Sequence, residues 1–491
     1  MRIACWRAFT PPRTTAASTV GCPPPQPSRP QDGRGSPHNR LGISSLLISF
    51  FSHIPVLWRN ISIIAMLKSL HVNSAIIELS RGVLRAADLR EGLGVSAATM
   101  MRWLRAGGAD IVQIGRARAT RYGLRQWWPG LDASRLPLFR ITEHGTPESA
   151  GELLTLAAHQ TVWMPRGAVS DGLPIELADA RPSGFLGRHF AASHPDLRLP
   201  PRLADWSGHH ILIAMSRRGE DVPGNLIVGD ESFARWQALD IPPRTRNDYP
   251  DLAEATIAGR PPGSSAGGER PKFGAFVDGR HVLVKFAVHG AAGDVVARRW
   301  CDLLVLEALA LDVASSRGVS VARTAIVDTA SHCFLESERF DRVEIRGRIA
   351  VMTLAAAHDD PADPWARAAV LLTSARRLSA EDARRLRWLD AFGALIANTD
   401  RHPYNVVFFT EGTTLRLAPA FDQVSMLYAP TADGQVAPRV FALPHATSDT
   451  LEVWDDARMA ARGFWQRASE DARVSEDLRR LSAANANALS N

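Results

Sequence analysis

A lysine in the middle of an apolar strand calls for an anion. In Val282-Leu283-Val284-Lys285-Phe286 the neighbours point alternately into a core, where an ammonium is costly unless it meets a negative charge. The helical run Val296 to Ala314 offers Asp302 and Glu307, and Glu307, set in the apolar stretch Leu303 to Leu311, is the better partner. Further on, Ile396-Ala397-Asn398-Thr399-Asp400-Arg401-His402-Pro403-Tyr404-Asn405 holds Asp400 and Asn405 in an Asp-x-x-x-x-Asn spacing. In that spacing a carboxylate accepts the proton of an incoming hydroxyl and a carboxamide oxygen ligates magnesium. Ala418-Pro419-Ala420-Phe421-Asp422 then places another carboxylate at a strand end, as a second magnesium ligand. Upstream, Gly263-Ser264-Ser265-Ala266-Gly267-Gly268 supplies small residues whose backbone amides can approach phosphate oxygens closely. Loop, strand lysine, helix glutamate, Asp-x-x-x-x-Asn and final Asp stand in the order that phosphoryl transfer at a kinase-like site requires.

Each piece alone has an ordinary explanation. The glycine run alone is more often an ordinary linker, the acids of the helix read equally as a solvated face, and the Asp-x-x-x-x-Asn pair arises about once by chance in a chain of this length. The combination in one order is what carries the inference. His402 invites a metal reading, with Asp400 and Asp422 chelating a divalent ion for hydrolysis, but magnesium prefers oxygen ligands and no second histidine cluster is near, so a packing role is the simpler one. Trp388, Phe392, Phe408, Phe409 and Phe421 are expected in the core of the C-terminal lobe.

Positioning these groups takes a substantial scaffold. The chain has 491 residues, 45% of them hydrophobic and 22% charged, which is the composition of a globular protein of about three units and excludes disordered, fibrous and disulfide-stapled classes. Lys plus Arg is 57 against 51 acids, so an acidic partner is permitted without being demanded. Nearly all the basic residues are arginine; Lys68, Lys272 and Lys285 are the three lysines. Cys5, Cys22, Cys301 and Cys333 show no metal-ligand spacing and are too few for a disulfide framework, which fits a reducing cytoplasm.

Residues 1–40 are rich in Pro, Arg, Ser and Gly and are expected to be disordered. Leu41 to Ala65 turns apolar, but His53, Pro55, Arg59 and Asn60 interrupt it, so the simpler reading is an over-extended N-terminus before Met66 rather than a membrane segment. Residues 66–130 have a helix, a second helix at Ala86-Ala87-Asp88-Leu89-Arg90, a glycine turn, Ser96 as N-cap of a third helix over 97–106, and a hairpin from Ile111 to Leu124. That is the winged-helix order. Thr99, Arg102 and Arg105 share a face of the third helix and Arg116, Arg118 and Arg121 decorate the wing, which predicts contact with DNA phosphates and base edges. Between 131 and about 250, Arg181-Pro182-Ser183-Gly184-Phe185-Leu186-Gly187-Arg188 and Asp221-Val222-Pro223-Gly224-Asn225-Leu226-Ile227-Val228 are expected to be turns between strands.

Taken together, Asn398-Thr399-Asp400-x-His402-x-x-Asn405, the Ala-Pro-Ala-Phe-Asp segment at Asp422, Phe340-Asp341-Arg342, the Ser-Ser-Ala-Gly-Gly loop with Pro271-Lys272, and Val222-Pro223-Gly224-Asn225-Leu226 resemble the HipA-family serine/threonine kinases, toxins of type II toxin–antitoxin modules. The resemblance covers about residues 140–450, and the added winged helix resembles the YjjJ-type branch. It implies an α+β architecture: a winged helix-turn-helix over 66–130, an N-terminal subdomain over 140–255, a mixed α/β kinase N-lobe over 256–355 and a mostly helical C-lobe over 356–491. It also implies ATP and Mg2+ as cofactors. Lys285, Glu307, Ser265, Ala266, Gly267 and Gly268 would bind ATP, Asp400 would be catalytic, Asn405 and Asp422 would hold the metal, and Ser264 would be autophosphorylated. Glu269-Arg270 departs from the family's usual residues after the glycines. A protein substrate in translation, such as an aminoacyl-tRNA synthetase, DNA and an antitoxin are the implied partners. Two other classes stay open: a DNA-binding regulator that senses nucleotide, and a metal-dependent hydrolase.

Overall fold

The computed structural model describes residues 73–182, 184–258, 271–291, 293–431 and 433–490. The N-terminal extension over 1–65 and the loop residues Ser264, Ser265, Ala266, Gly267 and Gly268 lie outside the described residues.

The described residues open with α1 (73–79), β1 (Leu84–Arg85), α2 (Ala86–Leu93), α3 (Ala97–Ala106), β2 (Ile111–Ile114) and β3 (Arg121–Leu124), with a sheet of order β1-β3-β2. Ser96 starts α3 as an N-cap, its hydroxyl accepting the Thr99 amide, and Gly94 ends α2 at φ 64°. Ala75, Leu79, Leu89, Met100, Leu104 and Tyr122 form a small core.

The middle unit is a five-stranded antiparallel sheet of β4 (Arg135–Ile141), β5 (Pro147–Thr155), β6 (Gln160–Met164), β7 (Ala168–Asp171) and β8 (Leu226–Val228), in the order β7-β6-β5-β4-β8. It comes with α4 (Ile175–Asp179), α5 (Gly184–Ser193), α6 (Gly208–Arg218) and α7 (Asp230–Ala238). Trp163, Leu138 and the 211–216 face of α6 meet in its core. The expected turn at 181–188 is in fact the approach to and first turns of α5. Gly187 does not break that helix but lets it pack closely on the segment leading into it, since a Cβ there would lie 2.7 Å from the Pro182 carbonyl carbon. The N-terminal and middle units share a further core of Ile114, Leu154, Leu156 and Val162, backed by Val83 and Val112. Polar links reinforce it: Gln126 N–H to Thr155 O (3.0 Å) and Val83 N–H to Gln160 Oε1 (2.8 Å).

A second five-stranded sheet follows, of β9 (Pro243–Arg244), β10 (Lys272–Val277), β11 (Arg280–Val288), β12 (Thr324–Asp328) and β13 (His332–Glu338), in the order β12-β13-β11-β10-β9. Before β10 comes α8 (Tyr249–Ala258), and α9 (Val295–Ser316) packs across β11, β12 and β13. Asp294 caps α9 by accepting the Val296 and Ala297 amides. A small hairpin, β14 (Arg342–Val343) with β15 (Gly347–Arg348), leads to the C-terminal part. That part comprises β16 (Val351–Thr353), β17 (Val407–Glu411) and β18 (Thr414–Leu417) with α10 (Leu354–Ala357), α11 (Trp365–Ser374), α12 (Ala380–Leu395), α13 (Leu451–Glu470) and α14 (Glu476–Ala488). Trp365, Trp388, Phe392, Phe408, Phe464 and Trp465 build the largest core, into which α9 inserts Leu306, Leu309 and Ala310. Phe421 is a correction: it is half-buried, and packs on Phe340 at 5.8 Å instead of joining that core. Among the described residues no helix is long and apolar enough to cross a membrane.

Candidate active site

Lys285 on β11 is 7% exposed, and its ammonium reaches across to α9, where Nζ donates to Glu307 Oε1 at 2.7 Å and Oε2 at 2.8 Å. It also donates to Asp422 Oδ1. Burial alone would lower the Lys285 pKa, but the charges of Asp422 and Glu307 outweigh it and hold the group protonated. Burial raises the Glu307 pKa against the pull of Lys285. For Asp422, burial is overcome by Lys285, Lys272 and His402, and the carboxyl sits at about 2. Lys285 and Asp422 are therefore ionised at neutral pH, with the lysine donating to both carboxyl groups.

The chain leaves α12 through Ala397 at φ 58° and enters the loop carrying Asp400 and Asn405. Asn398, fully buried, ties two segments together: its Nδ2 donates to the Asp422 carbonyl at 3.4 Å and its Oδ1 accepts the Asp400 amide at 3.0 Å. Asn405 Nδ2 donates to the Asp400 carbonyl at 3.1 Å, which commits the amide end of this side chain and leaves the Oδ1 end as the possible cation ligand. Arg401 anchors the loop from below through Asp390 (3.1 Å) and the Asn398 carbonyl, in space kept open by Gly393, where a Cβ would lie 2.7 Å from Arg401 Cδ. Trp365 Nε1 holds the His402 carbonyl at 3.2 Å. The Asp400 side chain is one-third exposed (33%) and has His402 Nε2 3.9 Å from its Oδ1.

This donor set suits magnesium. Asn405 and Asp422 offer only oxygen, the ligand that a small hard cation selects. Immediately beyond Asp422, the buried Gln423 Oε1 and Ser425 Oγ have no hydrogen-bond partner among the described residues. Buried polar atoms are seldom left in that state unless a ligand or water completes the site.

A charged cluster braces this region from the middle unit. Arg339 Nη1 donates to both Asp221 oxygens at 3.0 Å, and Arg342 Nη2 donates to Asp221 at 2.8 Å and to the Val222 carbonyl at 2.9 Å. Asp341 accepts from Arg339 Nε and Nη2 (3.1 Å each), Arg342 Nη1 (2.6 Å) and the Gly224 amide (3.2 Å). Between these charges Phe340 packs on Phe421, the residue preceding Asp422.

Residues 132–237 match the family described as YjjJ-like toxin, middle domain, and residues 264–488 the family described as HipA-like C-terminal domain. Over 422 residues the chain is 31% identical to Toxin YjjJ of Escherichia coli (strain K12), covering 82% of this chain and 94% of that protein. The chain belongs to the HipA family of toxins, in its YjjJ-like branch. Two solved structures are also similar. One is HipA of Shewanella oneidensis MR-1 in a toxin–antitoxin complex with HipB and operator DNA, 15% identical, covering 72% of this chain and 95% of that one, TM-score 0.46. The other is the Helicobacter pylori proinflammatory kinase CtkA, 12% identical, covering 45% of this chain and 90% of that one, TM-score 0.32.

In this HipA-family chain Lys285, Glu307 and Asp422 converge, and Asp400 and Asn405 lie on one loop bound to the Asp422 backbone by Asn398. Asp302 faces elsewhere, accepting the Ser475 amide (2.8 Å) and hydroxyl (2.5 Å) at the start of α14. Of the residues expected to meet DNA, Arg102, Arg105, Arg116 and Arg118 are exposed and Thr99 is half-buried. Arg121 donates to the Gly167 carbonyl of the middle unit at 2.7 Å, so its guanidinium is turned toward protein. Sequence reasoning assigned no role to Asn398, Arg401 or the Asp221–Arg339–Asp341–Arg342 cluster. The signal available for that cluster was an aromatic residue between alternating charges, Arg339-Phe340-Asp341-Arg342, a pattern that needs an opposite charge from a distant segment.

Proposed function

We propose that this toxin is an ATP- and Mg2+-dependent serine/threonine protein kinase. The observation that carries the reading is the buried Lys285 ammonium held between Glu307 and Asp422, the strand-lysine and helix-glutamate pairing that phosphoryl-transfer sites use to fix a phosphate-binding cation. In this reading the 256–355 segment is the N-lobe and 356–491 the C-lobe. Asn405 and Asp422 hold magnesium, which when bound neutralises phosphate charge. Lys285 and the amides of Ser265, Ala266, Gly267 and Gly268 position ATP. Asp400 accepts the proton of a serine or threonine hydroxyl on a protein substrate, a translation component such as an aminoacyl-tRNA synthetase by family analogy. Catalysis then rests on positioning and fixed charge rather than on covalent chemistry. Ser264 is the site of self-phosphorylation; an added charge of about −1.5 to −2 there would oppose the loop's closing over ATP.

The helix–strand–helix–helix–hairpin order over 73–124 supports a winged helix, and exposed Arg102, Arg105, Arg116 and Arg118 support DNA phosphate contact. An antitoxin is the further partner in this reading. The test is to incubate the full chain with labelled ATP and Mg2+ beside Asp400→Asn and Ser264→Ala, and to locate phosphate by mass spectrometry. Phosphate on Ser264 that disappears in Asp400→Asn is expected. ATP binding without any phosphate transfer would replace the kinase by a nucleotide-sensing regulator, and turnover without ATP would replace it by a hydrolase.

A further inference from the structure

A cavity of about 420 Å3 lies where the end of β11, the start of α9 and the start of α14 meet, and its lining includes none of Lys285, Glu307, Asp400, Asn405 and Asp422. That volume is in the range of small-molecule sites. Arg298 and Arg299 line it from the first turns of α9. Asp294 and Val295 bring the N-terminus of that helix to the same space, and Ser475 and Asp477 bring that of α14. Both helix starts favour negative charge.

Carboxylates line the cavity too, but each is already engaged. Asp294 Oδ1 accepts the Val296 and Ala297 amides. Asp302, fully buried, accepts the Ser475 amide with one oxygen (2.8 Å) and the Ser475 hydroxyl with the other (2.5 Å). Asp477 pairs with Arg480 on its own helix. The arginines are left with less. Arg298 Nη2 donates to the Arg473 carbonyl at 2.8 Å, and its Nε stays 3.6 Å from Asp302. The Arg299 side chain is only 8% exposed, and its Nη1 donates to the Tyr428 carbonyl at 3.2 Å. Its Nε lies 3.8 Å from Asp302, beyond hydrogen-bond reach, and makes no hydrogen bond among the described residues. One carboxylate thus stands near two guanidiniums, and burial lowers the Arg299 pKa in spite of it. A guanidinium more than nine-tenths buried, with a donor left over, is costly unless an anion completes it.

We propose that this cavity binds the phosphate group of a small molecule, with Arg299 and Arg298 as the phosphate-binding residues. The guanidinium fork matches phosphate oxygens bidentately, and the two helix starts add dipoles of the same sign. Ala291, Val295 and Val436 supply an apolar wall beside the arginines, so a compact organic body attached to the phosphate has a place in the same cavity. The site is separate from the nucleotide site proposed above and does not depend on it.

The test is calorimetry on the full chain at constant ionic strength, with inorganic phosphate, glycerol 3-phosphate and, as the carboxylate counterpart, acetate. The phosphate titration is repeated with Mg2+ and an excess of a non-hydrolysable ATP analogue. Wild type is expected to bind phosphate whether or not the analogue is present, and to bind glycerol 3-phosphate at least as tightly. Arg299→Met should weaken phosphate binding by about ten- to hundredfold, the worth of a charge-assisted hydrogen bond. Arg298→Met, at a side chain 47% exposed, should weaken it by about two- to fivefold. If Arg299→Met does not fold, Arg298→Met and the competition decide. Absence of phosphate binding by wild type, or binding unchanged in the folded arginine variants, would overturn the proposal. Displacement of phosphate by the analogue would move the ion to Lys285 and overturn it as well. Acetate binding as tightly as phosphate, or exclusion of glycerol 3-phosphate, would overturn the assigned ligand class.

Discussion

Replacing Asp341 with asparagine removes the charge at the centre of the brace between the middle unit and the lysine-bearing sheet. The Asp341 side chain is 10% exposed and that of Arg342 only 2%, so solvent cannot take over the lost interaction. Leaving a buried ion without its partner costs about 3–5 kcal/mol. Asparagine keeps one acceptor oxygen and Asp221 still faces both arginines, so the lower end, about 3 kcal/mol, is expected. Asp221→Asn is the internal comparison: it touches the same arginines, but its side chain is 59% exposed, and solvent screening reduces its expected cost to about 1 kcal/mol or less. Urea unfolding gives the difference, and hydrogen exchange at 221–225 and 339–348 locates it. Burial would by itself raise the Asp341 pKa, yet the Arg339 and Arg342 guanidiniums overcome it and hold the carboxyl below the usual carboxylate range. A depressed carboxyl contributes its full stabilisation above the unfolded-state pKa of about 3.9 and loses it as pH falls toward the folded value. The gap between wild type and Asp341→Asn is therefore constant from about pH 5 to 8 and closes only in acid. A gap under about 1 kcal/mol at pH 7, or an Asp221→Asn cost exceeding that of Asp341→Asn, would refute the reasoning.

Glu307→Gln leaves the buried Lys285 with Asp422 as its carboxylate partner; phosphate transfer from labelled ATP should fall by about ten- to hundredfold, and the loss of stability in thermal unfolding should stay below that of Asp341→Asn, because Gln keeps an acceptor oxygen and the acid it replaces has a raised pKa. Gly393→Ala puts a Cβ 2.7 Å from Arg401 Cδ and 3.4 Å from Gln423 Oε1, so it should destabilise by about 1–2 kcal/mol in thermal unfolding and lower transfer by more than that loss explains, through displacement of the Asp400 loop. In DNA-binding titrations against salt, Arg102→Ala and Arg116→Ala should each reduce the slope of log K on log salt by about 1, whereas Arg121→Ala, whose guanidinium holds Gly167, should leave the slope unchanged.

The site was legible where chemistry and local pattern coincide. An ammonium inside Val282 to Phe286 is anomalous on its own strand, and the glutamate that answers it sits in an apolar helix run, so both ends of the pair signal burial before any contact is seen. The Asp-x-x-x-x-Asn spacing, the N-cap at Ser96 and the hairpin from Ile111 to Leu124 are likewise local. What escaped was set by long-range register. Nothing near Lys272 announces that β10 pairs in the frame that sets it opposite Lys285, because a shift of one residue would send it to the other face. Asp221 and Arg339 are more than a hundred positions apart, and their meeting follows from the docking of two sheets. Gly187 read as part of a turn because glycine usually ends helices, whereas here close packing on Pro182 asks for the missing side chain.

The core shared by Ile114, Leu154, Leu156 and Val162 has a consequence for how such a protein changes over generations. A unit with a complete core of its own can be cut out and joined elsewhere by recombination, since the cut exposes little apolar surface. Here a cut between the hairpin and the middle sheet would bare Ile114 on one piece and Leu154, Leu156 and Val162 on the other, making both fragments prone to aggregate. Exchange of the basic N-terminal segment by recombination therefore carries a packing cost that substitution on the exposed face of α3 does not.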